Sequence, residues 1–568
     1  MGKQAKIMKS LDKISSNPIL RSGLYLATIF FFVVIILIPT ILGIALKWNL
    51  VSTVIDNPDL LSRALNAVGA SFVVAAFVSV IDLVAGVPTA WFIARGRSRW
   101  LNVLDSLCDL PFIIPTVALG YSLLLFWDSP LGVAGLFGGS LLSPGWLLVI
   151  LLHFVFSFPV VVRVMVGALL DYKYVYEEAA RTLGAPPVTA ERTVTFPILK
   201  PSLIGSFVLA FARSLSETGA TIIVAGAFEN GAIFISNMNT PENQAVFGQG
   251  PLVFASLLLL LIAVVIFGII QLFGSRLKIP IKHVSRSFEK KVSGKKVVRL
   301  RDGAMLFTLF FLILLPALFV AVTAFPAVLD GTLGNALSGA VDPTGKYNWG
   351  AYWQSLLVSY FVGFAATVVN VVAGLPMAIL IARNRMGKQL SSVLDALVNI
   401  PIIVPSVALG VSLRLFWTNF PFVPELLLII MAHISITYPY FVKSLAAAIL
   451  RVDPEVENAA RILGARPFGV FRTIILPMVK YSFFAGAIIM FTRSVSETGA
   501  TVAVISPTSS LLTVPVLLVR WIRPLLPSGT TTAVGVSSAV GLGCGFLILF
   551  SILILLILRL MMKEKGRY

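Results

Sequence analysis

The chain is 568 residues long, 58% of its residues are hydrophobic and only 12% are charged. A soluble protein has about 25% charged residues, so this composition excludes a soluble enzyme and predicts an integral membrane protein with many helical spans. The net charge of +19 is divided into short clusters between apolar runs, a distribution that sets orientation in a lipid bilayer and argues against a nucleic-acid partner. Three histidines and two cysteines leave little material for a metal site, and we expect no cofactor.

Twelve apolar segments are each long enough to cross the roughly 30 Å hydrocarbon layer as a helix. The first six are residues 23–46, 66–94, 110–127, 145–170, 201–226 and 251–274. The second six are residues 303–328, 355–382, 400–418, 425–450, 481–506 and 531–560. Since the segment 23–46 is too long for a typical signal-peptide core, we interpret it as a retained helix. We therefore predict an all-α polytopic protein with about twelve transmembrane helices.

Basic residues are concentrated in alternate connections between these segments. With the N-terminus in the cytoplasm, 34 of the 44 Lys and Arg residues fall on the cytoplasmic side. Such an excess marks cytoplasmic loops, which predicts a multi-pass protein of the cell membrane with both termini in the cytoplasm. The expected division is a cytoplasmic segment 1–22, a first half 23–274, a basic cytoplasmic linker 275–302, a second half 303–560 and a cytoplasmic tail 561–568.

The second half of the chain repeats the first. Leu83–Arg97 matches Val371–Arg385, and RSLSETGAT at Arg213–Thr221 matches RSVSETGAT at Arg493–Thr501. The matching segments lie six predicted helices apart, so the halves have the same orientation and form parallel repeats related by an axis along the membrane normal. Two such halves packed face to face would enclose one central pathway, which is the architecture of a translocator.

A short motif precedes the fifth predicted span of each half. Tyr176–Pro197 and Val456–Pro477 each contain a glutamate, two alanines, an arginine, a Leu-Gly pair and a later proline. The pattern predicts a short helix that ends at a left-handed glycine, Gly184 or Gly464. The small alanines offer a flat surface for another protein. An ordinary loop helix would explain one copy, but it explains two copies at equivalent positions less well.

This motif resembles the EAA signature of permease subunits of type I ABC importers, and the resemblance covers residues 64–274 and 355–560. A chain that carries both halves is similar to the fused permeases of ferric-iron and thiamine importers, whereas residues 212–226 look more like sulfate and molybdate permeases. The resemblance implies a permease that is not itself an enzyme, with two ATPase subunits on its cytoplasmic side and an extracytoplasmic solute-binding protein. It also implies the residues that contact the ATPase subunits: Glu177, Ala179, Ala180, Gly184, Glu457, Ala459, Ala460 and Gly464.

Ionisable residues inside the predicted spans are costly in hydrocarbon and are therefore candidates for function. Arg213 and Glu217 lie four residues apart on the fifth span, and Arg493 and Glu497 repeat this arrangement on the eleventh. We expect these residues either to line the pathway and its gate or to form structural ion pairs. Arg414, in the ninth span, has no counterpart in the first half and could face an anionic solute or pair with a carboxylate.

Two further sets of residues match between the halves. Pro111 and Pro115, like Pro401 and Pro405, remove backbone donors and should bend or break the third and ninth spans. His153 and His433 occupy equivalent positions, where we expect hydrogen-bonded packing residues rather than metal ligands.

The leading function is the permease of an ATP-driven importer that works by alternating access coupled to a separate ATPase. The chain has no GxxxxGK[ST] loop of its own. An ion-coupled secondary transporter, which can also have two six-helix halves, is the alternative, and the duplicated motif argues against it. The solute stays open among ferric iron, thiamine, a phosphonate and an oxyanion such as sulfate or molybdate.

Overall fold

A computed structural model describes residues 15–96, 98, 100–273, 286–342, 345–506, 509–526 and 535–562. These residues form helices, and their only extended pairing is an isolated bridge between Val341 and Asn348. Eleven of the helices are long and apolar enough to cross a membrane, and the number becomes twelve if a pair bent by 103° counts as one span. The prediction of an all-α fold with about twelve spans is confirmed.

The helices of the first half follow in chain order from Asn17, whose side chain caps the first of them. They are α1 (Pro18–Ala45), α2 (Pro58–Arg95), α3 (Thr116–Asp128), α4 (Trp146–Asp171), α5 (Val175–Thr182), α6 (Pro187–Ser216), α7 (Gly219–Val224), α8 (Gly231–Met238) and α9 (Gly250–Phe273). Shorter connecting helices are Trp48–Val51, Ser52–Ile55, Trp100–Cys108, Leu110–Ile113, Val133–Phe137 and Pro241–Phe247.

The second half repeats this order after a linker helix, α10 (Arg286–Val292). Its helices are α11 (Lys295–Leu329), α12 (Trp349–Ala382), α13 (Lys388–Ile403), α14 (Ser406–Trp417), α15 (Glu425–Leu450), α16 (Pro454–Ile462), α17 (Pro467–Val495), α18 (Gly499–Val504), α19 (Val514–Ile522) and α20 (Ser538–Met562). A short helix, Thr332–Ser338, lies between α11 and α12.

Equivalent helices of the two halves start at equivalent residues and are broken at equivalent residues. The side chain of Asn57 accepts a hydrogen bond from Leu60 N at the start of α2, and Asn348 caps α12 in the same way. The third span breaks between Ile113 and Thr116, and the ninth breaks between α13 and α14. The predicted effect of the four prolines is therefore confirmed.

The fifth and eleventh spans differ from their prediction. We expected each to be continuous, but α6 ends at Ser216 and α17 ends at Val495, and each is followed by a two- or three-residue break and a short helix. Both helices also begin earlier than predicted, directly after the motif segments. The short helices α8 and α19, which follow these breaks, were not predicted.

The first helix of each half packs against the other half. The Ser412 hydroxyl on α14 lies 2.8 Å from the carbonyl oxygens of Pro39 and Thr40 on α1. In the equivalent contact, the Ser122 hydroxyl on α3 donates to Pro316 O on α11 at 2.7 Å. Each serine also accepts a hydrogen bond from a backbone N–H one turn further along the same helix, from Ile44 N to Ser412 at 3.2 Å and from Val320 N to Ser122 at 2.8 Å. A serine from the opposite half is therefore inserted between backbone groups that would otherwise bond to each other. The two halves are thus not only placed face to face: each half packs its first helix, α1 or α11, against the other half. We call this arrangement the exchange of α1 and α11.

Linker residues lie beside the first motif segment. Glu289 on α10 accepts hydrogen bonds from Arg192 Nε at 2.6 Å and from the Thr189 hydroxyl, and Val188 N donates to the Ser293 hydroxyl at 3.4 Å. Helix α11 begins at Lys295, inside the predicted linker. The segments 1–14, 274–285 and 563–568, which include parts of the predicted N-terminal segment, linker and tail, lie outside the described residues.

Candidate functional site

The first motif segment forms α5, whose glutamate faces the protein interior. Glu177 is only 3% exposed. Its carboxylate lies 2.8 Å from Arg95 Nη2 at the end of α2 and accepts a hydrogen bond from the Thr195 hydroxyl on α6 at 3.1 Å. The carboxylate therefore ties α5 to the helices on either side of it.

The second motif segment, α16, repeats this arrangement. Glu457 is also 3% exposed, and its Oε1 atom lies 2.7 Å from Arg383 Nη2 just after α12. The side chain of Asp453 accepts a hydrogen bond from Glu455 N and caps the helix. Both glutamates are buried against their own chain and anchor the motif helices, and a contact of these segments with ATPase subunits stays a prediction.

Both short helices end at a left-handed glycine. Gly184 and Gly464 each have φ of 87°, a conformation that is costly for residues with a Cβ atom. Ala185 N donates to Ala180 O at 3.2 Å, and Ala465 N donates to Ala460 O at 3.0 Å. These bonds complete the hydrogen-bonding pattern of a Schellman cap, so the predicted glycine caps are confirmed.

The exposed surface of these helices is partly apolar. Among the predicted contact residues, Ala179, Ala459, Gly184 and Gly464 are exposed, whereas Ala180 and Ala460 are half-buried. Sequence reasoning missed the leucines of the two Leu-Gly pairs: Leu183 is 89% exposed and Leu463 is 88% exposed. Val175 and Tyr176 on α5 and Ile462 on α16 are exposed as well, so each short helix presents a group of apolar side chains, which is typical of a docking surface.

The ends of α6 and α17 form the second part of the candidate site. Glu217 stands at the break after α6, and its Oε1 atom accepts a hydrogen bond from Ala220 N at 2.9 Å. Glu497 accepts one from Ala500 N at 3.0 Å. Each carboxylate therefore caps the short helix that follows the break, which gives these acidic residues a role that the predicted continuous helix did not contain.

The two breaks touch each other at the centre of the molecule. A Cβ atom added to Gly219 would lie 2.5 Å from Thr498 Cβ, and one added to Gly499 would lie 2.8 Å from Thr218 Cβ. These distances are shorter than a contact between carbon atoms allows. We call the two loops at residues 216–219 and 496–499 the central barrier, because they approach each other as closely as glycine permits.

Hydrogen bonds between the halves close the central barrier from the side. The Ser406 hydroxyl at the start of α14 donates to Ser216 O at 3.0 Å. The Thr116 hydroxyl at the start of α3 donates to Ser496 O at 3.4 Å. Each half thus fixes the loop of the other through the helix that follows its proline break.

The arginines at this level have different partners in the two halves. Arg493 Nη1 lies 2.7 Å from Glu497 Oε2, whereas the guanidinium carbon of Arg213 lies 3.8 Å from the ring centre of Phe156. The expected Arg–Glu pair is therefore present in the second half, while in the first half Arg213 packs on an aromatic ring. Tyr440 interacts with both arginines, which brings the predicted charged residues of both halves into one cluster.

A histidine spans each helix break. His153 contacts the Ser214 hydroxyl before the break at 2.8 Å and the Thr221 hydroxyl after it at 2.9 Å. His433 makes the same contacts with Ser494 and Thr501, at 2.7 and 2.9 Å. The expectation of hydrogen-bonded histidines is confirmed, but their position across the breaks was missed because the breaks themselves were not predicted.

Arg414 lies away from the central barrier. Its Nη1 atom donates to Asn239 Oδ1 at 3.0 Å, just after α8. Its hydrogen-bond partner is thus an amide of the first half, and it also interacts electrostatically with the carboxylate of Glu425.

Comparison with known proteins places this geometry in a family. The model of the family described as "Binding-protein-dependent transport system inner membrane component" matches residues 86–279 and 374–563. The sulfate transport system permease protein CysT of Salmonella typhimurium is 33% identical over 225 residues, which cover 38% of this chain and 78% of that protein. The molybdenum transport system permease protein ModB of Escherichia coli is 37% identical over 163 residues, which cover 28% of this chain and 69% of that protein.

Both matched ranges contain a short motif helix, a broken span and a bridging histidine. The chain therefore belongs to the family of binding-protein-dependent transport system inner membrane components, as a multi-pass ABC importer permease that carries the family domain twice.

Proposed function

We propose that the chain is the translocation subunit of an ATP-driven importer for a tetrahedral oxyanion, sulfate or molybdate. One observation carries the mechanism: α6 and α17 each connect a motif helix to the central barrier. A helix of 30 residues, such as α6, is about 45 Å long at 1.5 Å per residue. A displacement at either motif helix is therefore delivered to the barrier loops.

The motif helices α5 and α16 dock on two ATPase subunits through their exposed apolar ends, which include Leu183 and Leu463. The buried glutamates fix each motif helix to its own half, so that a docked ATPase moves the half as one body. ATP-driven closure of the two subunits brings α5 and α16 together on the basic face, by which we mean the side of the molecule that carries the motif helices and the basic connections. The far ends of α6 and α17 then separate, and the loops around Gly219 and Gly499 part. The basic face and both termini are cytoplasmic in this arrangement.

The substrate class rests on two kinds of support. The relatives reported above are named as sulfate and molybdenum transport permeases. The resemblance to ferric-iron and thiamine permeases rests only on the presence of both halves in one chain. We therefore favour an oxyanion over iron or thiamine. A solute-binding protein delivers the anion to the face opposite the motif helices.

Reconstituted transport tests the proposal. The chain, its ATPase and its binding protein are placed in proteoliposomes, and uptake of radiolabelled sulfate and molybdate is measured with ATP or with an imposed ion gradient. We expect uptake of at least one oxyanion that requires ATP, the ATPase and the binding protein. Uptake driven by an ion gradient without the ATPase would instead identify a secondary transporter, and ATP-driven uptake of iron or thiamine alone would refute the oxyanion assignment.

A further inference from the structure

A cavity of about 200 Å³ lies on the side of the central barrier that faces away from the motif helices. Its floor includes Ile222 on α7 and Val502 on α18, the short helices that follow the two breaks. Its walls include Ser236 on α8 and Val519 on α19. Both halves therefore contribute to the cavity. It lies next to the closed barrier, at the position that an imported solute would occupy before the barrier opens.

Two arginines give this cavity its charge. Arg520, near the end of α19, and Arg523, directly after it, are three residues apart and so lie on the same side of the helix end. Arg523 Nη2 donates to the Ser236 hydroxyl across the cavity at 3.4 Å, and Arg520 Nη1 donates to Ser509 O at 3.5 Å. Each guanidinium group has five N–H donors in a planar fork, and both groups line the cavity.

The opposite wall holds a fixed amide. Asn239 lines the cavity, and its Oδ1 atom accepts hydrogen bonds from Arg414 Nη1 at 3.0 Å and from Gln244 Nε2 at 2.8 Å. With its oxygen engaged twice, the amide cannot rotate without losing both bonds, and its nitrogen donates to Val502 O at 3.2 Å. Arg414 therefore acts on the cavity through Asn239, as a positioning residue.

The lining described by the structure contains two arginines and no carboxylate. Glu425 contacts the lining residue Ser506, whose N–H donates to it at 2.8 Å; it also accepts a hydrogen bond from the Ser509 hydroxyl at 2.7 Å and is balanced by its electrostatic interaction with Arg414. Arginine forks match the oxygen atoms of tetrahedral anions and form charge-assisted hydrogen bonds with them. The charge and the donors of the cavity thus select for an anion.

The two walls of this cavity carry different charges because the two halves of the chain differ in sequence here. Helices α8 and α19 occupy equivalent positions after the two breaks, yet α8 is followed by Asn239 and Thr240 where α19 ends in Arg520 and Arg523. Two identical subunits around an axis would present the arginines twice, facing each other. A single chain with two different halves places positive charge on one wall and neutral donors on the other.

We propose that this cavity is a staging site for one divalent tetrahedral oxyanion. Arg520 and Arg523 bind the anion, the first-half wall of Ser236 and Asn239 completes its coordination, and the site holds it outside the barrier until the loops part. The chemical identity of the ligand rests on the function proposed above, whereas the position of the site rests on the cavity itself.

Direct binding tests the site in the full-length chain without its partners. Equilibrium dialysis with radiolabelled sulfate and with molybdate should show saturable binding, and chloride at the same ionic strength should not displace it. Arg520→Gln and Arg523→Gln should each weaken binding at least tenfold, and Arg523→Lys should keep part of it. Arg63→Gln is the matched control, since Arg63 is paired with Glu229 at a separate cavity on the same side of the barrier and should leave binding unchanged.

Two outcomes would overturn the staging site: no saturable binding of either anion to protein with a normal thermal midpoint, or equal affinity in the wild type, both Gln variants and the control. Uptake by the whole transporter separates this failure from a failure of the proposed function. Normal ATP-driven oxyanion uptake in the Arg520→Gln and Arg523→Gln variants would refute the cavity alone. Absence of oxyanion uptake in the wild type, with uptake of another solute, would refute the proposed function.

Discussion

Glu177 and Glu457 are buried against arginines at the basic face. They hold the motif helices in position, although their own carboxylates are not part of the exposed docking surface. Removing one partner from a buried ion pair leaves the other charge without compensation. Arg383 is 9% exposed and Arg95 is 22% exposed. The second-half pair is therefore better shielded from water and should contribute more to stability than the first-half pair.

We predict that Glu457→Gln lowers the free energy of unfolding by about 3–5 kcal/mol, and that Glu177→Gln lowers it by about 1–3 kcal/mol. The measurement is the thermal unfolding of the purified chain without ATPase. Glu178→Gln is the control, because Glu178 is exposed and adjacent in sequence. If all three variants unfold together with the wild type, the anchoring role is refuted.

Gly184 and Gly464 hold the exposed leucines in place through their left-handed backbone. Replacement by alanine costs about 1–2 kcal/mol in this conformation and should tilt or fray the end of the motif helix. We predict that Gly184→Ala and Gly464→Ala fold but show weaker binding to the ATPase and a lower ratio of transported solute to hydrolysed ATP. Gly167→Ala on α4 is the control, since an added Cβ has nothing within 4 Å there. Normal coupling in both cap variants would exclude a role for the cap geometry.

At the scale of elements, contacts from distant parts of the chain stabilise the break between α6 and α7. His153 is 61 residues from Ser214 and 68 residues from Thr221. Gly219 follows the break, but a single glycine inside an apolar helical pattern does not by itself predict one, and the spacing of Arg213 and Glu217 fits a continuous helix face. The break is thus a tertiary effect. By contrast, the prolines before α3 and α14 and the glycines after α5 and α16 act locally, and their effects were predictable from sequence.

The close contact of the two loops gives a steric test of the barrier. We predict that Gly219→Ala pushes Thr498 away, opens the central barrier and causes leakage of trapped sulfate from proteoliposomes without ATP. Thr498→Gly should restore a tight barrier in the double variant, because it removes the Cβ atom that the new methyl group meets. Gly205→Ala on α6, where an added Cβ has nothing within 4 Å, is the control. Gly219→Ala vesicles that retain sulfate as the wild type does would contradict this account.

The linker helix gives a prediction that depends on pH. The hydrogen bond from Arg192, with help from the Thr189 hydroxyl, lowers the pKa of Glu289 below its usual value. A carboxylate with a lowered folded-state pKa stabilises the docked state fully above its unfolded pKa of about 4.3 and loses this contribution as the pH falls through the folded value. The docking of α10 on the start of α6 should therefore be constant at neutral pH and weaken only in acid.

Spin labels at the exposed positions Lys291 and Thr193 would measure this docking as a distance distribution at each pH. We expect a narrow distribution down to about pH 5 that broadens at lower pH. Glu289→Gln should give a broader distribution at every pH, with no transition. A transition that persists in this variant would assign the effect to another group.

For the whole molecule, the lengths of the apolar segments and the internal repeat were enough to predict twelve spans, two halves and a central axis. They were not enough to predict which helices are neighbours, because an apolar segment fits equally well against either half. The exchange of α1 and α11 is specified instead by single polar residues, such as Ser412 against Pro39 and Ser122 against Pro316. In hydrocarbon, such carbonyl groups need partners.

We predict that the two halves assemble when they are made as separate chains divided within residues 275–285. A tagged first half should capture the second half from membranes, and a first half that begins at residue 58, and so lacks α1, should capture at least tenfold less, a loss of about 1.4 kcal/mol or more. A variant with Ser412→Ala in the second half should show an intermediate loss. Equal capture with and without α1 would mean that the exchange contributes nothing to assembly.

The exchanged first helix also sets an order of events during biosynthesis. Pro39 on α1 and Ser412 on α14 are separated by 373 positions in the chain. At roughly 5–20 residues per second of translation, α1 resides in the bilayer for on the order of 20–75 s before its partner leaves the ribosome. During that interval the backbone groups that Ser412 will contact face lipid or an insertion factor. A nascent chain of this protein is therefore most vulnerable to membrane quality control before its second half has been translated.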